Sequence, residues 1–269
     1  MEGVGAVANV RREMLPIKTI YANTNLSRRT AILLSYAIFI ISIINSVAIA
    51  GASGALGPHV LKGLIDTKFQ VKILTRSKKP GEFDACPGVE VAEVDFTSVE
   101  SLTAALKGID AVVSTVAGTA IKYQTVLIDA AAAAGVKRFI PSEYGSVTTN
   151  PKLEKFPLYE NVFMIRRHLQ EKADAGLMSW TVLACGAFME SLLVPGAAGL
   201  LDFAERKALL LDEGDNRLSC NSLATSGKAI AAILKNTKAT KNRVVKISEV
   251  ILTPNQLLNM AQRMRPQDK

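Results

Sequence analysis

The stretch Val47-Ala-Ile-Ala-Gly-Ala-Ser-Gly-Ala-Leu-Gly57 decides the fold of this 269-residue chain. Its first four residues are an apolar run typical of a buried strand, and glycines follow at 51, 54 and 57. Pro58 then stands where the first turn of a helix tolerates proline, and apolar residues recur at helical spacing up to position 64. Because glycine lacks a Cβ, a pyrophosphate can approach the main-chain N–H groups at such a helix N-terminus. The order strand, turn, helix predicts a dinucleotide-binding turn. Its residues are Gly51, Ala52, Ser53, Gly54, Ala55, Leu56 and Gly57.

Strand and helix patterns alternate further along the chain. Strands are predicted at 70–76, 89–95, 111–116, 138–141 and 179–185. Helices are predicted at 97–107, opened by a Thr97-x-x-Glu100 capping box, and at 124–134. This alternation implies right-handed βαβ units and an α/β fold of the Rossmann type, a doubly wound parallel sheet. We expect residues 46–185 to form the NAD(P)-binding domain, with ligands beyond the carboxyl ends of the strands.

The end of the second predicted strand indicates which dinucleotide is bound. An acidic residue there would bind the ribose 2′-OH of NAD, whereas a basic residue would bind the 2′-phosphate of NADP. The chain has Arg76 and Lys78 there and no carboxylate at the end of that strand, which predicts NADP(H) as cofactor. A solvated basic loop is the alternative. Asp95, at the end of the third strand, is a candidate to border the adenine and equally to cap the following turn.

Composition excludes several classes of protein. Half of the residues (49%) are hydrophobic and 21% are charged, which is typical of a globular chain. The net charge of +8 favours acidic partners such as phosphates, but no nucleic-acid-binding motif accompanies it, so no nucleic-acid partner is expected. Three cysteines (Cys86, Cys185 and Cys220) and two histidines (His59 and His168) exclude a disulfide framework and predict no metal site.

The N-terminal extension, residues 1–45, differs from the rest of the chain. Its apolar segment 31–45 follows Arg28 and Arg29, as in a signal anchor. A bilayer-spanning helix needs about 20 residues and would consume the strand at 47–50. We therefore expect a cytoplasmic protein with an extra N-terminal segment that is helical or loosely packed. The alternatives are a protein anchored in the membrane through 31–45, and a segment that is not part of the native protein.

Several motifs together resemble the NmrA-like, isoflavone-reductase-like branch of the atypical short-chain dehydrogenases, and fungal members of secondary metabolism most closely. They are the glycine turn, Ile128-Asp-Ala-Ala, Ala134-Gly-Val-Lys-Arg-Phe-Ile-Pro-Ser-Glu-Tyr-Gly145 and Thr149-Asn-Pro-Lys152. Pro-Ser-Glu-Tyr-Gly is the most specific of them, and the resemblance covers about 46–265. It implies a Rossmann domain, NADPH as hydride donor, and a small aromatic or phenolic substrate.

The resemblance also implies a proton-transferring lysine on the helix after the Pro-Ser-Glu-Tyr-Gly turn. Alignment puts Val162 at that position, so the catalytic residue is unknown, because valine cannot shuttle a proton. Val162 lies at helical spacing with Leu158, Ile165 and Leu169, which predicts a core face. Two hydroxyls at the end of the fifth strand are candidates for the nicotinamide or substrate side, and equally for satisfying turn hydrogen bonds. They belong to Ser142 and Tyr144.

Residues 186–269 are expected to form the substrate-side region, with Phe188 on the turn that leads to the pocket. A hairpin is predicted from 206–211 and 217–220, then a helix at 226–234, a strand at 243–247, and a final helix opened by Thr253. Similar proteins continue through further helices, so we expect an incomplete substrate side. Cys185 is predicted to be a buried structural cysteine and His168 to lie on a solvated helix face.

The function predicted from the sequence is an NADPH-dependent reductase of a small aromatic metabolite. The alternative is a non-catalytic NAD(P)-sensing regulatory protein of the NmrA type, which would tolerate the loss of the lysine. A chain with no activity is the third alternative. The oligomeric state is left open.

Overall fold

The computed structural model describes residues 43–83, 86, 88–145, 147–194, 200–210 and 212–268. Residues from Ile44 onward form one compact unit. The apolar segment predicted at 31–45 lies outside the described residues except for its last three positions. Within the described part of the chain, no helix has the length and apolarity needed to span a membrane.

Twelve strands are present in the described residues. They are β1 Ser46–Ala50, β2 Gln70–Thr75, β3 Glu90–Glu93, β4 Ala111–Ser114, β5 Arg138–Ile140, β6 Ser179–Ala184, β7 Ala187–Phe188, β8 Leu201–Asp202, β9 Lys207–Ala208, β10 Leu218–Asn221, β11 Arg243–Lys246 and β12 Val250–Leu252. The seven α-helices described are α1 Gly57–Asp66, α2 Val99–Ala105, α3 Gln124–Ala133, α4 Glu160–Asp174, α5 Met189–Leu192, α6 Leu223–Lys235 and α7 Pro254–Met264. The predicted strand–helix alternation is therefore confirmed.

Seven parallel strands form the central sheet, in the order β3-β2-β1-β4-β5-β6-β11. The chain order reverses between β1 and β4, where Val47 pairs with Val71 on one side and with Ala111 on the other. Such a reversal opens a crevice at the carboxyl ends of the strands, where ligands bind in doubly wound folds. The Rossmann-type fold class is confirmed.

Both faces of the sheet are covered, and β1 is therefore buried along its whole length. Val47 and Ile49 pack into the cluster that contains the apolar residues of α1 and α6. Ala48 and Ala50 face the other cluster, built with α2, α3 and α4. The apolar run at 47–50 is continuous rather than alternating because a central parallel strand is buried on both sides.

The start of α2 corrects one detail of the sequence prediction. Thr97 does not open the helix. The N-cap is Ser98, whose hydroxyl accepts a hydrogen bond from the Ser101 N–H at 3.1 Å. Thr97 instead bonds to Asp95. A helix begins where a polar side chain reaches the free N–H groups, and the neighbouring serine reaches them here.

The predicted hairpin from 206–211 and 217–220 is wrong. Strand β9 pairs antiparallel with β8, which precedes it. Strand β10 lies between β12, its antiparallel neighbour, and β7, its parallel neighbour. Strand β11 completes the central sheet and α6 packs against α1, so residues 186–269 contribute to the central sheet and its helix layer as well as to the small sheet. The final helix has the expected capping box at Thr253.

Candidate cofactor and substrate site

The turn between β1 and α1 needs glycine at two positions for different reasons. Gly51 has a φ of +91°, and a Cβ there would lie 2.8 Å from the Thr115 carbonyl carbon. A Cβ on Gly57 would lie 2.3 Å from the Gly51 carbonyl oxygen, so only glycine lets the helix start this close to the turn. Gly54 differs, because the nearest atom to a Cβ there is 3.4 Å away.

The outer side of this turn is open to a ligand. Ser53, Gly54 and Ala55 are exposed, whereas Ala52 and Leu56 are buried and anchor the turn. Among the described residues, no side chain caps the first turn of α1. The free N–H groups of an uncapped helix start favour an anion, and the glycines leave room for it. The turn therefore fits the pyrophosphate of a dinucleotide.

Thr115 directly follows β4 and is hydrogen-bonded to the start of the glycine turn. Its hydroxyl lies 3.1 Å from the Ala50 carbonyl oxygen and 2.8 Å from that of Gly51, and donates to both. Its own N–H donates to the Ala50 oxygen at 2.8 Å. Sequence reasoning missed this residue, since it follows β1 by about 65 positions and becomes its neighbour only through the sheet order.

The loop after β2 exposes the two predicted phosphate-binding cations, Arg76 and Lys78. The Thr75 hydroxyl donates to the Ser77 carbonyl oxygen at 2.9 Å and shapes the loop. The Lys78 N–H donates to the carboxylate of Glu93 at 3.1 Å. Sequence reasoning considered Asp95 on the third strand but missed Glu93, because the register that places it beside this loop is set by the sheet.

Asp95 is the cap of a turn in this structure. Its Oδ1 accepts hydrogen bonds from the Thr97 hydroxyl at 2.7 Å and from the Thr97 N–H at 2.8 Å. These bonds, the side-chain one most, hold the pKa of the Asp95 carboxyl below its usual value. Of the two alternatives for Asp95, turn capping is the one these contacts display.

The hydroxyls of Ser142 and Tyr144 both donate to main-chain oxygens at the end of β4. The Ser142 hydroxyl donates to the Val116 carbonyl, and its N–H donates to the buried Gln124 side chain at 2.7 Å. The Tyr144 hydroxyl donates to the Ser114 carbonyl at 2.7 Å, and its burial raises the pKa of Tyr144. Both hydroxyls therefore hydrogen-bond the turn that follows β5 to the end of β4.

Between these two residues, Glu143 ties the turn to α4. Its carboxylate is buried and accepts hydrogen bonds from the Thr148 hydroxyl at 2.7 Å and from the Arg166 guanidinium. Arg166 also donates to the Thr148 carbonyl at 3.1 Å. The pair fixes the segment after the turn against the helix that carries Val162, four residues before Arg166.

The prediction of a continuous core face on this helix is partly wrong. Ile165 and Leu169 are buried as expected, but Val162 is half-buried. Leu158 is 81% exposed, because it lies in a separate 3-10 turn, Pro157–Tyr159, before the helix begins. The family lysine position thus lies at the exposed end of the helix rather than inside the core.

Phe188 reaches the same end of the sheet. Its ring centroid lies 6.5 Å from that of Tyr144, so the structure brings two of the three predicted substrate-side residues together. Cys185, just before Phe188, is buried, and its thiol donates to the Tyr144 carbonyl at 3.1 Å. Burial raises the pKa of that thiol, which makes it a structural cysteine as expected.

Other residues singled out from the sequence lie on the 3-10 turns and the helix that follow the Pro-Ser-Glu-Tyr-Gly turn. Lys152 and Lys155 are exposed on the 3-10 turn Pro151–Lys155. The predicted solvated position of His168 is wrong, because the ring is half-buried against α3 with Nε2 at 2.8 Å from Asp129. Lys172 pairs with the same carboxylate at 2.7 Å. The helix face that looked polar in sequence is thus an interface between two helices.

The sequence profile of the NmrA-like family matches residues 45–265. The chain belongs to the NmrA-like family. Oxidoreductase aprR of Aspergillus flavus is 34% identical over 81% of this chain and 73% of its own length. Oxidoreductase poxI of Penicillium oxalicum is 30% identical over 80% of this chain and 68% of its own. Both relatives of this NmrA-like chain are named as oxidoreductases, which supports the enzyme class expected from the sequence.

Solved structures share the fold of this NmrA-like protein. A structure described as AtPrR2 with NADP⁺ and (+)-pinoresinol superposes with a TM-score of 0.67 at 23% identity, over 83% of this chain and 76% of the other. A leucoanthocyanidin reductase–NADPH complex from Vitis vinifera gives 0.67 at 24% identity, over 81% and 73%. At this identity the likeness establishes the Rossmann-type fold.

Proposed function

We propose that this NmrA-like protein is an NADP-dependent reductase of a small aromatic or phenolic metabolite, acting in secondary metabolism. The observation that carries the proposal is the turn at 51–57, which is closed by two obligatory glycines and open on the side where a pyrophosphate would lie. The fungal oxidoreductases support the reaction class. The reductase structures that contain NADP⁺ or NADPH support the cofactor.

The residues divide into three groups in this proposal. The turn at 51–57 would bind the pyrophosphate, and Arg76 and Lys78 would bind the 2′-phosphate. Ser142, Tyr144 and Phe188 would form the nicotinamide and substrate side, where the aromatic rings exclude water and match an aromatic substrate. Bound NADPH would supply the hydride.

A non-catalytic NAD(P) sensor is the second candidate function. The observation that favours it is Val162, which has no transferable proton at the position of the family lysine. A sensor needs only different affinities for different cofactor states. The two candidates therefore differ in cofactor preference, which can be measured without knowing the substrate.

Calorimetric titration of the full chain with NADPH, NADP⁺, NADH and NAD⁺ tests both functions. We expect a clear preference for NADPH, and we expect Arg76→Ala to weaken NADPH binding by about tenfold or more while leaving NADH binding nearly unchanged, because it removes a charge-assisted hydrogen bond to phosphate. Lys238→Ala is the matched control, since it removes one exposed positive charge from the connection that precedes β11, at the amino end of that strand.

The other outcomes separate the candidates. Indifference to the 2′-phosphate, or tighter binding of the oxidised cofactors, would favour the sensor. Equal losses for NADPH and NADH in Arg76→Ala would remove the assignment of Arg76. If none of the four cofactors bound, both functions would be excluded.

A further inference from the structure

A carboxylate stands beside the basic loop that follows β2. Glu93 is the last residue of β3, and the strand register pairs it with Thr75, the last residue of β2. Its Oε2 accepts a hydrogen bond from the Lys78 N–H at 3.1 Å. The sheet thus brings a negative charge from one strand next to the Arg76–Lys78 cations carried by its neighbour.

The charged side chains of this loop and of Glu93 do not form ion pairs with one another. Arg76, Lys78 and Glu93 are all exposed, and within the described residues none of them has a side-chain ion pair. The contact between Glu93 and the loop is made to a backbone N–H, which leaves both cations available to a ligand. A ligand phosphate bound by Arg76 would therefore also experience the Glu93 carboxylate.

We propose that Glu93 is a specificity-determining residue for the cofactor. In dinucleotide-binding folds a cation near the adenosine ribose selects the 2′-phosphate, and a carboxylate there repels the phosphate or accepts from the free 2′-OH. Arg76 sets the preference for NADP(H), and Glu93 reduces it by opposing the same phosphate charge. This inference rests on the proposed function, because it needs a chain that binds dinucleotides.

The size of the change that Glu93 makes in NADPH affinity follows from the exposure of its carboxylate and of the two cations. Charges at a protein surface are screened by water and salt, so a carboxylate that is not in direct contact with the phosphate changes affinity severalfold rather than by orders of magnitude. Glutamine at position 93 can still accept the hydrogen bond from Lys78. The substitution Glu93→Gln therefore removes the charge and keeps the bond that shapes the loop.

Calorimetry on the full chain tests the proposal, with NADPH and NADH each titrated at low and at physiological ionic strength. For Glu93→Gln we expect NADPH to bind about threefold to tenfold more tightly at low salt, with a smaller gain at the higher salt. NADH affinity should stay the same or fall slightly. Glu90→Gln is the matched control: Glu90 lies at the opposite end of β3, where it pairs with Lys72 at 3.2 Å.

Each result has a distinct meaning. A wild-type chain that binds both cofactors, together with an unchanged NADPH-to-NADH ratio in Glu93→Gln, overturns this inference alone. An equal change for both cofactors that is independent of salt also overturns it, since that is the signature of a merely structural loop contact. A wild-type chain that binds neither cofactor overturns the proposed function, and this inference with it.

Discussion

At the scale of single residues, the three glycines of the turn are not equivalent. Gly51 has a positive φ, and at Gly57 the turn passes so close to the helix that a Cβ would overlap the Gly51 carbonyl oxygen. Gly54 is exposed, and a Cβ would meet only the Gly51 and Thr115 carbonyl oxygens, at 3.4 and 3.7 Å. Two of the glycines are thus required by the fold, and the third is not.

This difference predicts opposite phenotypes for two similar substitutions. Gly54→Ala should keep its stability within about 0.5 kcal/mol of wild type and weaken NADPH binding by about tenfold, because the methyl group occupies the ligand side. Gly57→Ala should lose about 2 kcal/mol or more of stability, because its Cβ overlaps two carbonyl oxygens at 2.3 and 2.4 Å. Thermal unfolding and calorimetry measure the two effects. Wild-type NADPH affinity in Gly54→Ala would contradict the ligand-side assignment.

Sequence spacing identified residues whose neighbours are close in the sequence. It missed residues whose neighbours are brought near by strand pairing in the sheet. The glycine turn was predictable because strand, turn and helix are contiguous along the chain. Thr115 and Glu93 were not, because each reaches the site from a strand that is a neighbour in space only. The exposure of Leu158 was missed because a 3-10 turn shares the apolar spacing of a helix start.

At the scale of elements, Asp110 joins the beginnings of three central strands. Its Oδ2 accepts from the N–H groups of Asn45 at 2.8 Å and Ser46 at 3.1 Å, at the start of β1. Its Oδ1 pairs with Lys137 at 2.7 Å, directly before β5, while Asp110 itself precedes β4. Burial raises the pKa of Asp110, but the hydrogen bonds from Lys137, Asn45 and Ser46 together outweigh it and hold the pKa below its usual value.

The sign of this shift gives a pH prediction. A carboxyl whose folded pKa is depressed adds stability that is complete above its unfolded pKa of about 3.9 and is lost as the pH falls through the folded value. Asp110→Asn should therefore be about 1–2 kcal/mol less stable than wild type at pH 7, and the difference should shrink as the pH falls below about 3.9. Urea unfolding between pH 7 and pH 2 measures it.

Asp66→Asn is the control for that experiment. Asp66 pairs with Lys62 on the exposed face of α1, where 56% of its side chain is accessible. A surface pair of this kind contributes less than about 0.5 kcal/mol, so the control should be nearly unchanged at every pH. A constant deficit of Asp110→Asn from pH 7 to pH 2 would show that the carboxylate charge is not what holds the three strands.

The strands of the central sheet were predictable, and the small sheet was not, for one physical reason. A parallel strand buried on both faces is a continuous run of branched apolar residues, which the sequence displays directly. Strand β10 instead finds its partners in β7 and β12, about 30 residues away on either side. Nothing in its own sequence distinguishes that pairing from a local hairpin.

At the scale of the whole molecule, one helix crossing joins the region of the glycine turn to the region that carries Phe188. Helix α1 directly follows the glycine turn, and α6 directly follows β10, which pairs with the Phe188 strand. The two helices cross at Gly63 and Gly227, where a Cβ on Gly227 would lie 2.2 Å from the His59 carbonyl oxygen. The backbones therefore touch, and the helix after the glycine turn and the helix after β10 share one layer over the sheet.

The close crossing predicts that Gly227→Ala lowers the stability of the protein and also disturbs the strand that carries Phe188. In an exposed helix, alanine would be favoured over glycine by about 1 kcal/mol, but here the overlap with His59 must push α6 away from α1 and cost about 2–4 kcal/mol. Because α6 follows β10, the shift should also weaken the β7–β10 pairing that positions Phe188 and speed amide hydrogen exchange in these two strands. Urea unfolding and hydrogen exchange measure the two effects. Lys228→Ala, at the exposed neighbouring position, should leave both unchanged. A Gly227→Ala variant as stable as Lys228→Ala would show that the two helices can separate without cost, and that the two regions are not coupled through this layer.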